Sequence, residues 1–163
     1  MDWILEYYLL LNKWFKHVYY TLLYYIDMGL DCYASIYKKR IFMTDEIEKK
    51  FVDAKISLSQ CNGSSFRGKS YDTIIGTIAD DSLYFVGSEK LIFERLCNFL
   101  EQNKDRLQKD YENGLEIDIR NYIQDYPECS RGNYTCDLDE LYSLQKFFKI
   151  CVENNLTIHS SFW

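Results

Sequence analysis

The chain has 163 residues, of which 47% are hydrophobic, a formal net charge of −6 and fifteen tyrosines. This length is enough for one domain with a buried core, and the hydrophobic content excludes general intrinsic disorder. The acidic balance disfavours direct binding to DNA or RNA, because such binding uses a basic face for phosphate contacts.

The segment Trp3–Asp27 predicts a long aromatic helix around which the rest of the chain packs. It contains no Gly or Pro, and charged residues such as Glu6 and Lys13 interrupt it, which disfavours a membrane span. No signal-peptide pattern is present, so we expect a cytoplasmic protein without membrane contact. Its apolar face could also pair two copies into a homodimer. The face consists of Ile4, Tyr8, Leu11, Phe15, Val18, Leu22 and Tyr25, at helical spacings of four and three.

Two further helices and a loop are predicted before residue 71. The first helix covers Leu30–Arg40, and the second runs from an N-cap at Thr44 to about Gln60. The second would bury Ile47, Phe51, Val52 and Ala54 or Leu58. The Gly- and Ser-rich loop Cys61–Ser70 then links a helical part (1–60) to a mixed part (71–163) of a single domain (1–163).

The mixed part begins with two predicted strands, Tyr71–Ile78 and Ser82–Val86, joined by a turn at Asp80-Asp81. Predicted helices follow from an N-cap at Ser88 to a stop at Gly114, over Leu115–Tyr126, and over Leu138–Asn154 after the cap Asp137. A loop is expected over Cys129–Thr135, and Leu156–His159 closes the chain as a strand. The fold class is therefore α+β, mostly helical, with a small β-sheet.

The loop contains the spacing Gly-x-x-x-x-Gly-Lys-Ser from Gly63 to Ser70, which is that of a phosphate-binding loop. Such a loop follows a buried strand and opens a helix. The predicted order here is the reverse, with a helix before the loop and a strand after it. We therefore interpret the segment as a linker rather than as a nucleotide site.

Other chemistry is not indicated. The six cysteines form no Cys-x-x-Cys pair, and neither His17 nor His159 has a Ser or Cys placed to be activated. Paired carboxylates such as Asp80-Asp81 are interpreted as solvated residues. We predict no catalytic residue, no cofactor and no metal site.

The acidic segment is the candidate site. Between Asp110 and Glu140 nine acids stand against two arginines, whereas the rest of the chain is nearly neutral. We predict that it binds a basic protein partner, because opposed charge speeds association; a merely solvated face is the equal alternative. The nine candidate residues are Asp110, Glu112, Glu116, Asp118, Asp125, Glu128, Asp137, Asp139 and Glu140.

The segment Gly68–Leu83 resembles the Tyr-Asp-Ile-Val-Ile-Gly-Pro-x-Ala-Asp-Asp core of an uncharacterised bacterial family with an ADP-ribosyltransferase-like fold. The resemblance implies a degenerate or rearranged enzyme of that class. It spans about a tenth of the chain, and the family's nicotinamide-binding segments have no counterpart here. The matching positions are Tyr71, Asp72, Ile75, Gly76, Ala79, Asp80 and Asp81, with Thr77 in place of the proline.

Three function classes follow from these patterns. The favoured one is a non-enzymatic intracellular inhibitor, either an immunity protein or a phage anti-defence protein of the anti-CRISPR kind. It would block a basic partner, a toxin or a nucleic-acid-binding effector, through an acidic, Tyr-rich surface. The alternatives are the ADP-ribosyltransferase-like enzyme and a structural subunit joined to a larger assembly through Trp3–Asp27.

Overall fold

The computed structural model describes residues 30–36, 43–80, 83, 87–123 and 132–162, all within one compact unit. The mostly helical α+β fold with small antiparallel sheets is confirmed. The predicted helix Trp3–Asp27 lies outside the described residues, so the single domain of 163 residues stays a prediction. The elements are β1 (Leu30–Ile36), α1 (Asp45–Asp53), β2 (Ser65–Phe66), α2 (Asp72–Ala79), α3 (Glu89–Glu112), β3 (Ile117–Asp118), β4 (Thr135–Cys136), α4 (Leu138–Glu153) and β5 (Leu156–Phe162).

A three-stranded antiparallel sheet has the order β2-β1-β5, with Cys32 of β1 opposite Phe66 on one side and Ser160 on the other. The prediction of a helix over Leu30–Arg40 was wrong. Alternate residues of β1, Cys32 and Ala34, are buried, which is the period of a strand. The loop Cys61–Ser70 is likewise more than a linker, because it contributes β2 to this sheet.

The predicted strand Tyr71–Ile78 was also wrong, because the structure forms α2 there. Ile74, Ile75 and Ala79 are buried on one face of α2, and helical spacing brings them together. Tertiary packing therefore overrides the β-propensity of these residues. The helix ends at Asp80, which adopts a left-handed conformation with φ of 52°. Of the second predicted strand, Ser82–Val86, the structure describes Leu83, which lies in a turn.

The two long helices predicted within the described residues are confirmed. The helix α3 begins after Ser88 and ends before Gly114, whose φ is 69°, and α4 begins after Asp137. In α4 the predicted inward residues Leu141, Leu144, Phe147, Phe148 and Cys151 are all fully buried. The helix α1 ends at Asp53 rather than near Gln60, and Val52, predicted in the core, is 63% exposed.

The region predicted as a helix over Leu115–Tyr126 is instead β3, which pairs with β4, followed by the 3₁₀ turn Ile119–Tyr122. Ile117 and Ile119 are both fully buried, a spacing of two that fits a strand. Residues 124–131 lie outside the description, while Thr135, predicted in a loop, belongs to β4.

Strand β5 is confirmed. Its backbone forms a hydrogen bond to the side chain of Glu89 at Ile158. The Glu89 Oε1 atom accepts a 2.7 Å hydrogen bond from the Ile158 backbone N–H, although both residues are buried. Glu89 lies in the first turn of α3, where a carboxylate is favoured by the helix dipole. The contact therefore joins the strand to the start of the long helix. Among the described helices, none is both long and apolar enough to cross a membrane.

The Tyr71 hydroxyl joins three segments of the core. It accepts a 2.7 Å hydrogen bond from the Ser59 backbone N–H and donates one of 2.5 Å to Glu140 Oε1. Tyr71 is 1% exposed. If the hydroxyl were removed, Ser59 and Glu140 would each lose a hydrogen bond at a place where bulk water does not readily replace it. Burial and the Glu140 carboxylate both raise the pKa of Tyr71, which keeps the hydroxyl protonated as a donor.

We predict that Tyr71→Phe lowers the free energy of unfolding by about 1–3 kcal/mol, because Ser59 and Glu140 each lose a partner. Urea denaturation followed by circular dichroism measures the change. Tyr142→Phe is the matched control, since the half-buried Tyr142 packs against the core. An equal loss of stability in both variants would contradict the role assigned to the Tyr71 hydroxyl.

Candidate functional site

The β3–β4 pairing brings the two halves of the acidic segment together. Ile117 lies opposite Cys136, and both side chains are buried, so they anchor the small sheet in the core. The residues that flank this pair, Glu116 and Asp137, are both exposed. Carboxylates far apart in the chain therefore lie close together at the surface.

These neighbouring carboxylates affect the pKa of the Cys136 thiol. Burial raises the pKa most, and the negative charges of Glu140, Asp137 and Glu116 raise it further. These three carboxylates come from both sides of the β3–β4 ladder and act on one sulfur atom. The thiol therefore stays neutral at physiological pH, and Cys136 is not an activated nucleophile.

Five of the nine predicted site residues form contacts within the protein, among them Glu112, whose Oε1 accepts a 2.9 Å hydrogen bond from the exposed Gln108 side chain. Asp118 accepts hydrogen bonds from the Arg120 side chain at 2.9 Å (Nε to Oδ1) and 2.5 Å (Nη2 to Oδ2), which lower the pKa of Asp118. Asp110 accepts a hydrogen bond from the Tyr122 hydroxyl. Asp137 and Glu140 form a capping box at the start of α4.

We call the exposed carboxylates Glu112, Glu116, Asp137 and Asp139, together with Tyr111 and Leu115, the acidic surface. Tyr111 is 48% exposed and Leu115 is 56% exposed, which is high for large hydrophobic side chains. The other two predicted site residues, Asp125 and Glu128, lie outside the described residues. The surface combines accessible apolar area with a rim of charge.

Tyr111 and Leu115 were missed by the sequence analysis. Tyr111 lies four residues after Leu107 and eleven after Leu100, so helical spacing places it on the face of these buried leucines and predicts burial, whereas it is exposed. Leu115 follows the helix stop at Gly114, so it had no predicted core position. That position is a signal that could have identified Leu115 as a candidate for a contact surface, but no such signal existed for Tyr111.

The Gly63–Ser70 loop is preceded by α1, as predicted, and followed by α2, so the strand predicted after it was wrong. The strand β2 lies within the loop, whereas a phosphate-binding loop follows a strand. The conclusion that the loop is no nucleotide site has other support, since Glu48 Oε1 accepts hydrogen bonds from the Ser64 N–H and hydroxyl at 3.3 and 3.1 Å. A carboxylate at this loop repels phosphate, because like charges at short range disfavour binding.

Metal and thiol chemistry find no support in the described part of the chain. It contains no group of three or more His, Cys, Asp or Glu residues that could hold a metal ion. Burial is the main cause that raises the pKa of the thiols of Cys32, Cys61 and Cys151. The thiolate form required of a nucleophile or metal ligand is thereby disfavoured.

No protein-family model, curated protein or solved structure matches this chain. The resemblance of Gly68–Leu83 to the ADP-ribosyltransferase-like family therefore stays a prediction. In the structure, the matching residues Tyr71, Ile75 and Ala79 are buried in the core. Asp72 Oδ1 accepts a hydrogen bond from the Leu83 N–H at 3.2 Å. All four residues therefore have structural roles.

We predict that Cys136 reacts with iodoacetamide roughly tenfold or more slowly than the half-buried Cys97 at pH 8.5, because burial and three carboxylates disfavour its thiolate. Peptide mass spectrometry of the native protein over a time course gives both rates. Alkylation in denaturant, where all thiols should react alike, is the control. Equal native rates at the two positions would contradict the placement of Cys136.

Proposed function

We propose that this chain is a non-enzymatic protein-binding inhibitor that docks on a basic partner protein through the acidic surface. The observation that carries the proposal is the β3–β4 pairing, which places Glu116 and Asp137 side by side in space. Exposed Tyr111 and Leu115 lie in the same stretch of chain as Glu116. Protein interfaces commonly combine an aromatic or apolar centre with a polar rim.

The charges and the apolar side chains would have different effects. Carboxylates at the rim steer a basic partner and raise the association rate, which makes that rate sensitive to salt. Burial of Tyr111 and Leu115 would lower the dissociation rate, because the removal of apolar area from water supplies affinity. Four exposed carboxylates with two apolar side chains therefore fit a binding surface better than a merely solvated face.

The partner class follows from the sign of the charge. Proteins that bind nucleic acid, including many toxins and defence effectors, present basic grooves to phosphates. A fixed array of carboxylates competes for such a groove, and this is the physical basis of an immunity or anti-defence protein. A structural subunit joined through Trp3–Asp27 stays an alternative.

We predict that the triple variant Glu112→Lys, Glu116→Lys and Asp139→Lys slows association with the partner at least about tenfold, because it reverses the steering charge. Asp118 and Asp137 are left unchanged, since Asp118 pairs with Arg120 and Asp137 caps α4, whereas the contact of Glu112 with Gln108 is exposed to solvent. Tagged protein is used to recover partners from a lysate of the source organism, and association rates are measured with the purified partner at two salt concentrations.

The matched control carries Glu46→Lys, Asp53→Lys and Glu101→Lys, three exposed acids outside the acidic surface. Glu46 matches Asp139 because both lie in a first helical turn, and Glu101 matches Glu112 because both lie on α3. The control variant should still bind the same basic protein, at the association rate of the unchanged chain. A partner that binds the acidic-surface variant at an unchanged rate and salt dependence would contradict the proposal.

A further inference from the structure

A cleft lined by basic rather than acidic side chains, unlike the acidic surface, lies between α2, α3 and the Ile119–Tyr122 turn. Its cavity volume is about 580 Å³, within the range of ligand-binding sites. The polar residues that line it are Arg95, Asn98, Gln102, Asn103, Arg106 and Asn121. Two guanidinium groups and four carboxamides therefore face one concave surface, which we call the arginine groove.

The arginine groove is the exception in an acidic protein. The chain has a net charge of −6, yet the described residues that line the groove include no acid. Among the described residues, neither Arg95 nor Arg106 forms an ion pair. Asp110 is the carboxylate that next follows Arg106 in the chain. It accepts a hydrogen bond from the Tyr122 hydroxyl instead of pairing with Arg106. Two guanidinium groups without carboxylate partners are suited to bind an anion.

The helix fixes the separation of the two arginine backbones, and a ring contact orients the Arg106 guanidinium. Arg95 and Arg106 lie on the same helix, about three turns apart, and a rise of 1.5 Å per residue separates their backbones by about 16 Å. The Arg106 guanidinium lies over the Tyr122 ring, 4.5 Å from its centroid, which limits its movement. The carboxamides of Asn98 and Gln102 lie between the two arginines along the helix.

This spacing matches an extended peptide. A strand rises about 3.3 Å per residue and alternate side chains share one face, so side chains four positions apart lie about 13 Å apart on one face, a difference that the long arginine side chains can span. Carboxamide side chains both donate and accept hydrogen bonds, and they can therefore pair with backbone C=O and N–H groups along such a segment. Guanidinium groups near both ends would bind carboxylates in a two-point contact.

We infer that the arginine groove binds an extended segment of an acidic protein, with two carboxylate side chains about four positions apart. The inference concerns a surface other than the acidic surface and does not depend on the proposed inhibitor function. Single-stranded RNA is the less suitable anion, because its bases need exposed aromatic faces for stacking. Phe99 is only 6% exposed, and the Arg106 guanidinium covers one face of Tyr122.

The test measures fluorescence anisotropy of a labelled short peptide that carries two glutamates four positions apart in a Gly/Ser background. The same peptide with glutamines in place of the glutamates is the ligand control, and labelled oligouridine is the alternative anion. We expect the glutamate peptide to bind at least about tenfold more tightly than either, because the charge-assisted pairs need carboxylates. Tighter binding of oligouridine, or equal binding of the glutamine peptide, would overturn the inference.

Protein variants provide the second part of the test. The double variant Arg95→Gln with Arg106→Gln should lower the affinity for the glutamate peptide at least about tenfold. Arg95→Lys with Arg106→Lys should lower that affinity by an intermediate amount. Lys90→Gln with Lys104→Gln removes the same charge from exposed positions of α3 outside the groove and should change affinity less than about twofold. Circular dichroism verifies each fold. Equal losses in the arginine-to-glutamine and lysine-to-glutamine variants would contradict the inference, because they would indicate a general charge effect.

Discussion

The burial of Phe147 is the interaction on which the described structure depends most. Its ring lies 5.0 Å from that of Phe51 in α1, 4.9 Å from that of Phe66 in β2 and 6.1 Å from that of Phe148. One fully buried side chain of α4 therefore holds a helix and a strand that are distant in the chain. Aromatic pairs at these distances add stabilisation beyond the burial of area. Replacement of such a residue by alanine typically costs about 3–5 kcal/mol.

The position of α4 in the core determines what its first turn can do. Glu140 accepts the Tyr71 hydroxyl and the Asp137 backbone N–H, so the start of the helix is held from two sides. Asp139 lies in the same turn and is exposed. The part of the acidic surface at the start of α4, Asp137 and Asp139, is therefore supported by core contacts, and a surface held in this way loses less conformational entropy when a partner docks.

Two charged surfaces of opposite sign follow from the arrangement of α3. Its middle, from Arg95 to Arg106, lines the arginine groove, while its C-terminal end carries Tyr111 and Glu112. A single long helix thus contributes to both surfaces.

The long elements could be predicted from sequence because their signals are redundant. Apolar spacing, the cap at Asp137 and the stop at Gly114 all indicate α3 or α4, and the structure confirms both helices. The short elements β1 and α2 were assigned wrongly, because a few residues carry little periodicity and tertiary packing decides their conformation.

The candidate site was predictable only in part. The sequence gives the density of acids, but it cannot reveal that Asp118 pairs with Arg120 or that Asp110 pairs with Tyr122. Such contacts depend on the conformation of β3 and the 3₁₀ turn Ile119–Tyr122, which was missed because a helix was predicted there. The arginine groove was missed for a related reason, since it needs α2 and the Ile119–Tyr122 turn to close over α3.

The central claim is that the β3–β4 region presents the surface on which a basic partner docks. Hydrogen–deuterium exchange of the protein, alone and in complex with the basic protein recovered from lysate, tests it most directly. The account predicts slower exchange in the complex at residues 110–118 and 135–140, with little change at residues 45–53. Protection confined to other residues, with 110–118 and 135–140 unchanged, would contradict it.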